Sequence, residues 1–334
     1  MKTRLNEPVE QFHRLRINEQ IDYEKFYLYS LITHSTAIEG STITELENQI
    51  MFDYGVSLKG KSIEEQAMNF DLKHAYEKAA KLASEHTPFS IELLQSLATL
   101  VMKNTGREYH TALGDFSSAQ GDLRLLNVTT GVGGKSYINY NKVPIKLSEF
   151  CQNINQLRKN ANKNNVDQLY QITFDAHYNL VTIHPWADGN GRMARLVMNM
   201  LQWEFGLIPT KIPKESKEEY IKALVATREE DNLDIFRDFM TTTMVSNLEH
   251  DIKAFIQSLE THDVEITSTT PHNSRNKIIE LIKHNRNITT TAMAKHVGIG
   301  VKAVEKHLAR LKRDGIVQRI GAARGGHWKI IDSK

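Results

Sequence analysis

The chain has 334 residues, 40% of them hydrophobic and 25% charged, a composition typical of a globular protein with two or three domains. Its 42 basic and 40 acidic residues nearly cancel, so overall charge gives no argument for binding to nucleic acid or to a membrane. Cys151 is the only cysteine, which excludes an intrachain disulfide and a cysteine-rich zinc site.

The N-terminal segment, MKTRLNEPVEQFHRLRINEQ, lacks the apolar run of a signal peptide, and no later stretch is long enough to span a membrane. We therefore expect a cytoplasmic protein without a membrane partner. Helical periodicity dominates from about residue 8 to residue 258. Capping boxes are predicted at Thr42 with Glu45 and at Ser62 with Glu65, so the body is expected to be mainly helical.

The helical pattern is interrupted at residues 121–140, GDLRLLNVTTGVGGKSYINY. Short β-prone runs flank the turn-forming residues Gly131, Gly133 and Gly134. This pattern predicts a β-hairpin.

A helical run from Val166 to Ile183 precedes Pro185, which disfavours the α conformation at His184 and predicts a loop there. Helical periodicity resumes from Gly191 to Phe205. The residues between these runs are therefore expected to connect two helices.

Residues 184–195, HPWADGNGRMAR, carry the groups that a nucleotide site requires. Glycines allow backbone N–H groups to approach a phosphate, and a helix beginning there places its positive end at the same point. A histidine can accept a proton from a hydroxyl, an aspartate suits Mg²⁺, and two arginines three residues apart can bind phosphate oxygens from one helix face. A tight turn with a capping aspartate and solvated arginines is the structural alternative, but it does not require this ordered set.

After Phe255 the sequence changes character, and residues 261–274, THDVEITSTTPHNS, are typical of a linker. Three short helical patterns and two β-prone runs follow. They lie near residues 274–285, 290–297, 301–313, 316–320 and 327–331. This order predicts a winged helix-turn-helix.

The third of these helices, VKAVEKHLARLKR, places apolar residues on one side and basic residues largely elsewhere. DNA phosphates are one candidate partner for the basic side, and protein binding or dimer packing is the alternative. The candidate DNA contacts are Lys302, Lys306, Arg310 and Arg313.

Residues 184–195 resemble the Fic signature HPFx(D/E)GNGRxxR at every defined position except Trp186, where phenylalanine is usual. The resemblance extends over roughly residues 90–245. It implies a Fic-type helical domain that transfers AMP from ATP to a Ser, Thr or Tyr hydroxyl of a target protein, or of the chain itself, with pyrophosphate as the leaving group.

The resemblance also implies a role for each matching residue. His184 would be the general base, and Asp188 would hold Mg²⁺ on the phosphates. Backbone groups of Gly189, Asn190 and Gly191 would form an anion hole, while Arg192 and Arg195 would hold the β- and γ-phosphates.

The expected hairpin at 121–140 lies where Fic proteins carry a flap that clamps a target segment by adding a strand to it. Tyr137 and Ile138 are the candidate clamping residues. An exposed hairpin without this role is the alternative.

Residues 35–40, STAIEG, resemble the inhibitory motif (S/T)xxxE(G/N) of self-restrained Fic proteins through Ser35, Glu39 and Gly40. Glu39 would form a salt bridge with Arg195 and so misalign ATP. A carboxylate near a helix end, followed by a helix-ending glycine, is the alternative. In some self-restrained relatives the same glutamate supports removal of AMP, which stays open here.

The sequence thus predicts a mainly α fold with a small hairpin flap and a C-terminal winged helix. The expected parts are an N-terminal regulatory region at 1–88, a Fic core with following helices at 89–258, a linker at 259–273 and a winged helix at 274–334. The predicted function is that of an autoinhibited protein adenylyltransferase. A DNA-binding transcription regulator with a Fic-like sensor domain is the alternative, and a homodimer is the expected assembly if the chain associates.

Overall fold

The computed structural model describes residues 5–129, 136–264, 271–297, 300–313, 315–321 and 326–331. The chain divides into two compact units, Met1–Ala254 and Phe255–Lys334. Helices predominate in the described residues, and the strands in these residues form two antiparallel pairs. The mainly helical fold class predicted from the sequence is confirmed.

The first unit is built from ten helices among its described residues, the last of which continues past Ala254. They are α1 (Asn6–Arg14), α2 (Tyr23–Ile38), α3 (Glu45–Tyr54), α4 (Ile63–Ser84), α5 (Ile91–Met102), α6 (Val143–Asn160), α7 (Val166–Ile183), α8 (Asn190–Glu204), α9 (Lys217–Glu230) and α10 (Leu233–Val264). Single 3₁₀ turns lie at Ile17–Glu19, Ser118–Gln120, Tyr140–Lys142 and Lys214–Ser216.

Two capping boxes begin helices in the N-terminal region. Ser62 caps α4 with Glu65, as predicted. The box at α3, however, uses Thr44 with Glu47, so the expected pair of Thr42 with Glu45 was wrong. The same T-x-x-E spacing occurs twice here, and Thr44 is the residue whose extended backbone suits an N-cap.

The core of the first unit surrounds α8. Nearly every residue of this helix from Asn190 to Gln202 is buried, including its polar residues. Asn199 accepts a hydrogen bond from the Tyr76 hydroxyl at 2.8 Å, and Gln202 donates to the Thr173 hydroxyl at 3.0 Å. A helix buried on all sides is held rigidly by its neighbours, so its N-terminus is a fixed reference point for a site.

The predicted hairpin at 121–140 is described only in part, since residues 130–135, including its three glycines, lie outside the described residues. Its two arms are joined by the antiparallel bridge between Thr129 and Ser136 and by a 3.0 Å bond from Tyr137 N to Val128 O. A regular hairpin that the sequence did not predict precedes it. There β1 (Glu108–Thr111) pairs with β2 (Gly114–Ser117).

The second unit contains α11 (Pro271–His284), α12 (Thr290–Val297), α13 (Val301–Arg313), β3 (Val317–Ile320) and β4 (His327–Ile330). This order matches the predicted winged helix. Its core gathers apolar side chains from all five elements, including Ile282, Leu308 and Trp328. The Trp328 indole donates to Ile288 O at 3.2 Å, which ties β4 to the segment between α11 and α12.

The interval between the two helical regions is shorter than the linker expected at 259–273. Helix α10 extends through Val264, and α11 begins at Pro271. Residues 259–264 are therefore helical, while 265–270 lie outside the described residues. The domain boundaries themselves stay predictions. Within the described part of the chain, no helix is both long and apolar enough to cross a membrane.

Candidate active site

His184 ends α7 in a left-handed conformation, with φ 53° and ψ 61°. Its backbone N–H donates to Leu180 O at 3.0 Å, and Pro185 follows at once, so the helix cannot continue. The ring Nδ1 lies 3.3 Å from Val181 O, which favours the tautomer with the proton on Nδ1. The other ring nitrogen, Nε2, then carries the lone pair.

The environment of His184 favours the neutral imidazole. Burial lowers its pKa to about 4, and the positive charges of Arg124 and Arg228 act in the same direction. The Val181 hydrogen bond and the Asp188 carboxylate oppose this shift but do not cancel it. At neutral pH the side chain can therefore accept a proton.

The loop between α7 and α8 is closed by Asn190 and Trp186. The Asn190 side chain donates to Trp186 O at 2.9 Å and accepts from Trp186 N at 3.1 Å. The indole of Trp186 is buried and donates to Gly121 O at 3.1 Å, a bond that phenylalanine could not make. Asn190 thus shapes the loop through its side chain, a role that the sequence analysis did not foresee.

The two glycines of the loop are required for different reasons. Gly189 has φ 79°, and a Cβ there would lie 2.6 Å from Met102 Sδ. A Cβ on Gly191 would lie 2.8 Å from Glu39 Oε1 and 3.1 Å from Arg195 Nη1. Gly189 therefore permits the turn, whereas Gly191 leaves space beside the charged groups at the helix N-terminus.

Asp188 is the most exposed charged residue of the loop, with 57% of its side chain accessible. Its Oδ1 accepts from Gly189 N at 2.6 Å and lies 3.8 Å from Arg192 Nη2. No cluster of three or more His, Cys, Asp or Glu side chains suited to a metal occurs in the described parts of the chain. One accessible carboxylate beside a helix N-terminus nevertheless fits Mg²⁺, which is commonly held by one or two carboxylates together with substrate phosphates.

Arg192 and Arg195 are both buried, each 3% exposed, so the alternative of a solvated arginine face was wrong. Arg192 Nη1 makes one long hydrogen bond, 3.4 Å to Val101 O, and its Nε has no partner among the described residues. Arg195 Nε instead donates to Ser35 Oγ at 2.8 Å, and its Nη2 donates to Ser35 O at 3.0 Å. The two guanidinium groups thus differ in how many donors remain available.

The third partner of Arg195 is Glu39, whose Oε1 lies 2.6 Å from Arg195 Nη2. Burial would raise the pKa of Glu39, but the charges of Arg195 and Arg192 outweigh it, so the pKa falls below its usual value. The carboxylate is therefore ionised at neutral pH. Glu39 follows the last residue of α2, and Gly40 continues the chain with φ 110°, which favours glycine.

The two candidate flap residues lie beside the loop. The Tyr137 ring stacks on the His184 imidazole, with ring centroids 3.9 Å apart and planes inclined by 21°. Ile138 contributes its carbonyl, which accepts from Arg124 Nη2 at 2.6 Å. The role of either residue in clamping a target stays a prediction.

Arg124 joins the two arms of the 121–140 segment, the candidate flap, to the loop, and it was missed in the sequence. It is 1% exposed. Besides Ile138 O, its guanidinium donates to His184 O at 2.7 Å and to Leu126 O at 2.7 Å, while its backbone N donates to Pro185 O at 3.0 Å. A lone arginine in a turn-rich segment gave no signal of this arrangement.

Arg228 of α9 is a second missed residue. Its guanidinium carbon lies 4.9 Å from the centre of the Tyr137 ring, and its Nη2 donates to Ser136 O. Its sequence neighbours, Glu229 and Glu230, made it resemble part of an ordinary charged helix face.

The structure thus brings together the predicted residues of the loop, of the inhibitory motif and of the flap. The candidate DNA contacts belong to the other unit, on the exposed side of α13: Lys302, Lys306, Arg310 and Arg313. Two further cations lie near Trp328 of β4. Lys312 Nζ, from α13, and the Arg319 guanidinium, from β3, lie 5.2 and 4.9 Å from the centre of its ring.

Two protein-family models match the chain. Residues 88–202 match the Fic/DOC family, and residues 273–318 match the family described as winged helix-turn-helix DNA-binding. The first match includes α5 through most of α8, and therefore the whole loop from His184 to Arg195.

Curated relatives are named protein adenylyltransferases. The protein adenylyltransferase fic-1 of Caenorhabditis elegans is 26% identical over 249 residues, which cover 74% of this chain and 44% of that protein. The protein adenylyltransferase Fic of Drosophila grimshawi is 29% identical over 205 residues, which cover 60% of this chain and 38% of that protein. The chain therefore spans less than half the length of these relatives.

Solved structures resemble the fold at lower sequence identity. A Fic domain containing signaling protein from Bacteroides thetaiotaomicron has a TM-score of 0.59 at 19% identity, covering 73% of this chain and 90% of that one. A Fic family protein from Desulfovibrio desulfuricans has a TM-score of 0.57 at 15% identity, covering 98% and 96%. The chain thus resembles the Fic/DOC family over residues 88–202 and the winged helix-turn-helix family over residues 273–318, and solved Fic structures share its fold.

Proposed function

We propose that this chain is a protein adenylyltransferase that moves AMP from ATP to a Ser, Thr or Tyr hydroxyl of a target protein or of itself. One observation carries the proposal: a neutral imidazole whose Nε2 carries the lone pair lies in the loop that leads into the N-terminus of α8. There the buried Arg192 has an Nε without a partner among the described residues. The names of the curated relatives support the same activity. A cytoplasmic location stays a prediction.

In the proposed reaction, His184 accepts the proton of the attacking hydroxyl at Nε2. The hydroxyl oxygen forms a bond to the α-phosphorus of ATP, and the bond from that phosphorus to the bridging oxygen of the β-phosphate breaks. Pyrophosphate leaves with its electron pair, and the target carries AMP. His184 then releases its proton to solvent, which is easy for a group whose pKa is about 4.

The N-terminus of α8 is the proposed phosphate site. Its first intrahelical bond runs from Met193 N to Gly189 O at 2.9 Å, and the N–H groups before it have no intrahelical acceptor. Phosphate oxygens can accept from these groups and from the unused donors of Arg192. Mg²⁺, when bound through Asp188 and the phosphates, would neutralise negative charge that develops on the leaving group.

Glu39 is the proposed brake on this reaction. Arg195 would have to release Glu39 before it could bind the γ-phosphate, because Ser35 and Glu39 already occupy its Nε and Nη2 donors. ATP that binds without this arginine would present its α-phosphorus in the wrong orientation. Glu39 could also direct a water molecule onto bound AMP, so slow removal of AMP from the target is part of the proposal.

Labelled ATP tests the proposal. The wild-type chain, Glu39→Gly and the double variant Glu39→Gly with His184→Ala are incubated with Mg²⁺ and ATP labelled at the α- or the γ-phosphate. We expect protein label from the α position only, strongest in Glu39→Gly and absent in the double variant. Label from the γ position would show a kinase-like reaction and refute AMP transfer. Loss of label from modified protein, after ATP is removed and wild-type chain is added, tests removal of AMP.

A second candidate function, DNA binding, is favoured by the exposed basic side of α13 and by the winged-helix family match. We propose that this surface contacts DNA phosphates. The test is a mobility shift of mixed-sequence duplex DNA at several salt concentrations. Lys306→Glu should weaken binding and flatten its salt dependence, whereas the matched exposed control Lys59→Glu in the first unit should not. Equal binding by both variants would contradict the proposal.

A further inference from the structure

Tyr137 has two close partners that the family signature does not include. Its ring is nearly parallel to the His184 imidazole at 3.9 Å, and the Arg228 guanidinium carbon lies 4.9 Å from its centre. Cation–π attraction therefore holds Tyr137 from α9, while ring stacking joins it to His184. We call these three residues the Arg228–Tyr137–His184 cluster.

The backbone around Tyr137 is anchored at three consecutive residues. Ser136 O accepts from Arg228, Tyr137 N donates to Val128 O at 3.0 Å, and Ile138 O accepts from Arg124 at 2.6 Å. A side chain on so well anchored a segment has a fixed position. This differs from the expectation for a clamping residue, which has to remain available for a target strand.

The described hydrogen bond of the His184 ring, from Nδ1 to Val181 O, is long at 3.3 Å, so it restrains the ring only weakly. Rotation about the Cβ–Cγ bond would move the imidazole out of the plane that the Tyr137 ring enforces. Stacking covers a face of the imidazole, whereas the Nε2 lone pair lies in the ring plane and points away from that face. Tyr137 can thus orient the ring without covering the atom that accepts the proton.

We propose that Tyr137 and Arg228 are positioning residues for His184, holding the imidazole plane so that Nε2 is aimed at the attacking hydroxyl. The catalytic part of this inference rests on the proposed AMP transfer, whereas the orienting contact itself does not. Arg228 acts through Tyr137, and the charged groups that face the imidazole are Arg124, Arg228 and Asp188.

Tyr137→Leu and Tyr137→Phe separate positioning from clamping. Leucine is smaller but apolar, so it preserves a hydrophobic clamp while it removes the ring, whereas phenylalanine keeps the ring. In a Glu39→Gly background, self-labelling from α-labelled ATP is measured over a range of ATP concentrations. This gives two quantities, the maximal rate at saturating ATP and the ATP concentration at half the maximal rate. Because a positioned general base contributes about 10²–10⁴-fold, we expect Tyr137→Leu to lower the maximal rate by about tenfold, with the half-saturating ATP concentration changed less than about twofold.

Conservative variants and a matched control complete the kinetic test. Tyr137→Phe should recover most of the rate. Arg228→Gln should show a smaller loss than Tyr137→Leu, and Arg228→Lys should fall between Arg228→Gln and the background. Tyr54→Leu, the same substitution at an exposed tyrosine of α3, is the control. A full maximal rate in Tyr137→Leu, or equal losses in the Leu and Phe variants, would overturn the proposal.

A second measurement does not require activity. In protein with isotope-labelled histidine rings, the Cε1–H signal of His184 is assigned by its absence in His184→Ala. An aromatic ring at 3.9 Å should displace this signal upfield in the wild type and in Tyr137→Phe, and the displacement should vanish in Tyr137→Leu. The same position in all three proteins would overturn the orienting contact, whatever the labelling assay shows. If ATP labels none of the proteins but the signal moves as expected, the contact stands and only the proposed function fails.

Discussion

Glu39 Oε1 lies 2.6 Å from Arg195 Nη2, although 156 positions separate the two residues in the chain. Ser35, one helical turn before Glu39, binds the same guanidinium through its hydroxyl and its carbonyl. The end of α2 therefore occupies Arg195, while Arg192, one turn earlier in α8, keeps an unpaired Nε. The two arginines are thus divided between the proposed inhibitory motif, which binds Arg195, and the proposed phosphate site, which includes Arg192.

Glu39→Gln is expected to make the protein less stable alone and more responsive to ATP. The substitution leaves the buried Arg195 charge without its carboxylate. Breaking a fully buried ion pair costs about 3–5 kcal/mol, and the cost here should be smaller because 31% of the Glu39 side chain is accessible. ATP phosphates can then supply the missing charge, and a ligand that binds only the folded state raises its stability. Thermal melting should show a lower Tm than in the wild type without nucleotide, and a larger rise with Mg²⁺ and ATP.

The control for this prediction is Glu85→Gln, at an exposed carboxylate that lies 3.8 Å from Lys81. A surface ion pair of this kind contributes at most about 1 kcal/mol, so the control should melt close to the wild type and respond equally to ATP. An ATP response in Glu39→Gln no larger than in the control would contradict a competition between Glu39 and phosphate.

The pH dependence of labelling should reveal the buried state of His184. A free histidine would gain its proton near pH 6.5, but the pKa of His184 is lowered to about 4. The base form therefore persists below pH 6, and protonation removes it only as the pH approaches about 4. In Glu39→Gly, kcat/KM for ATP measured from pH 7.5 to pH 4.5 should stay flat down to about pH 5 and only then fall.

Arg228→Gln tests the cause of this shift. The Arg228 charge helps to lower the pKa of His184. Its removal should therefore move the acid limb, the fall of kcat/KM at low pH, toward higher pH. The sign is fixed, because removing a positive neighbour makes the imidazolium easier to form. An acid limb that begins near pH 6.5 in Glu39→Gly would contradict the burial of the base, and a limb that moves to lower pH in Arg228→Gln would contradict the electrostatic part.

Local chain signals predicted much of the fold. Pro185 indicated the end of α7, and the helix was expected to run from Val166 to Ile183, as it does. The three helices and two strands of the winged helix also followed from periodicity. The hairpin of β1 and β2 was missed because each strand has only four residues, too short for an alternating pattern to stand out.

The residues missed in the site depend on long-range contacts. Arg124 binds backbone carbonyls of three segments, and a carbonyl leaves no trace in the side-chain sequence. Arg228 reaches Tyr137 across 91 positions and belongs to a helix rich in charged residues. Asn190 was expected to contribute its backbone, yet its side chain closes the loop on Trp186. Sequence spacing shows which groups share a loop, but not which distant groups hold them.

Trp186→Phe should restore the usual signature at a modest cost in stability. Phenylalanine keeps an aromatic side chain in the buried site but loses the 3.1 Å bond from the indole to Gly121 O. Loss of such a bond, with a smaller ring, should lower the free energy of unfolding by about 1–3 kcal/mol. The measurement is the urea midpoint of the transition followed by far-UV circular dichroism.

Trp203→Phe, at a partly buried tryptophan of α8 that packs against Tyr76, is the matched control for the loss of ring volume. Labelling by Trp186→Phe in the Glu39→Gly background should stay within about threefold, because the bond that is lost joins the indole to Gly121 O and not to a proposed reacting group. An unfolding midpoint equal to that of the wild type would show that the Gly121 bond contributes nothing.

Arg124→Met should be the most damaging change at the loop. The methionine keeps a long apolar stem, but the carbonyls of His184, Leu126 and Ile138 lose their donor together. These bonds are partly buried, and a carbonyl left unsatisfied costs at most about 1–3 kcal/mol, so with three lost together Tm should fall clearly and self-labelling should be lost. Arg124→Lys keeps the charge and can satisfy some of these carbonyls, so its Tm should lie between that of the wild type and that of Arg124→Met.

The matched control is Arg107→Met, where the arginine side chain is exposed and its hydrogen bonds to Ser118 run through the backbone. Limited proteolysis adds a local measurement, because the flap arms should be cleaved faster in Arg124→Met than in the control. If Arg124→Met had the same Tm and labelling rate as the wild type, the guanidinium would contribute nothing to the stability or activity of the loop. The flap would then have to be held by Arg228 and the Val128 bond alone, which would make Arg228→Gln the more damaging variant.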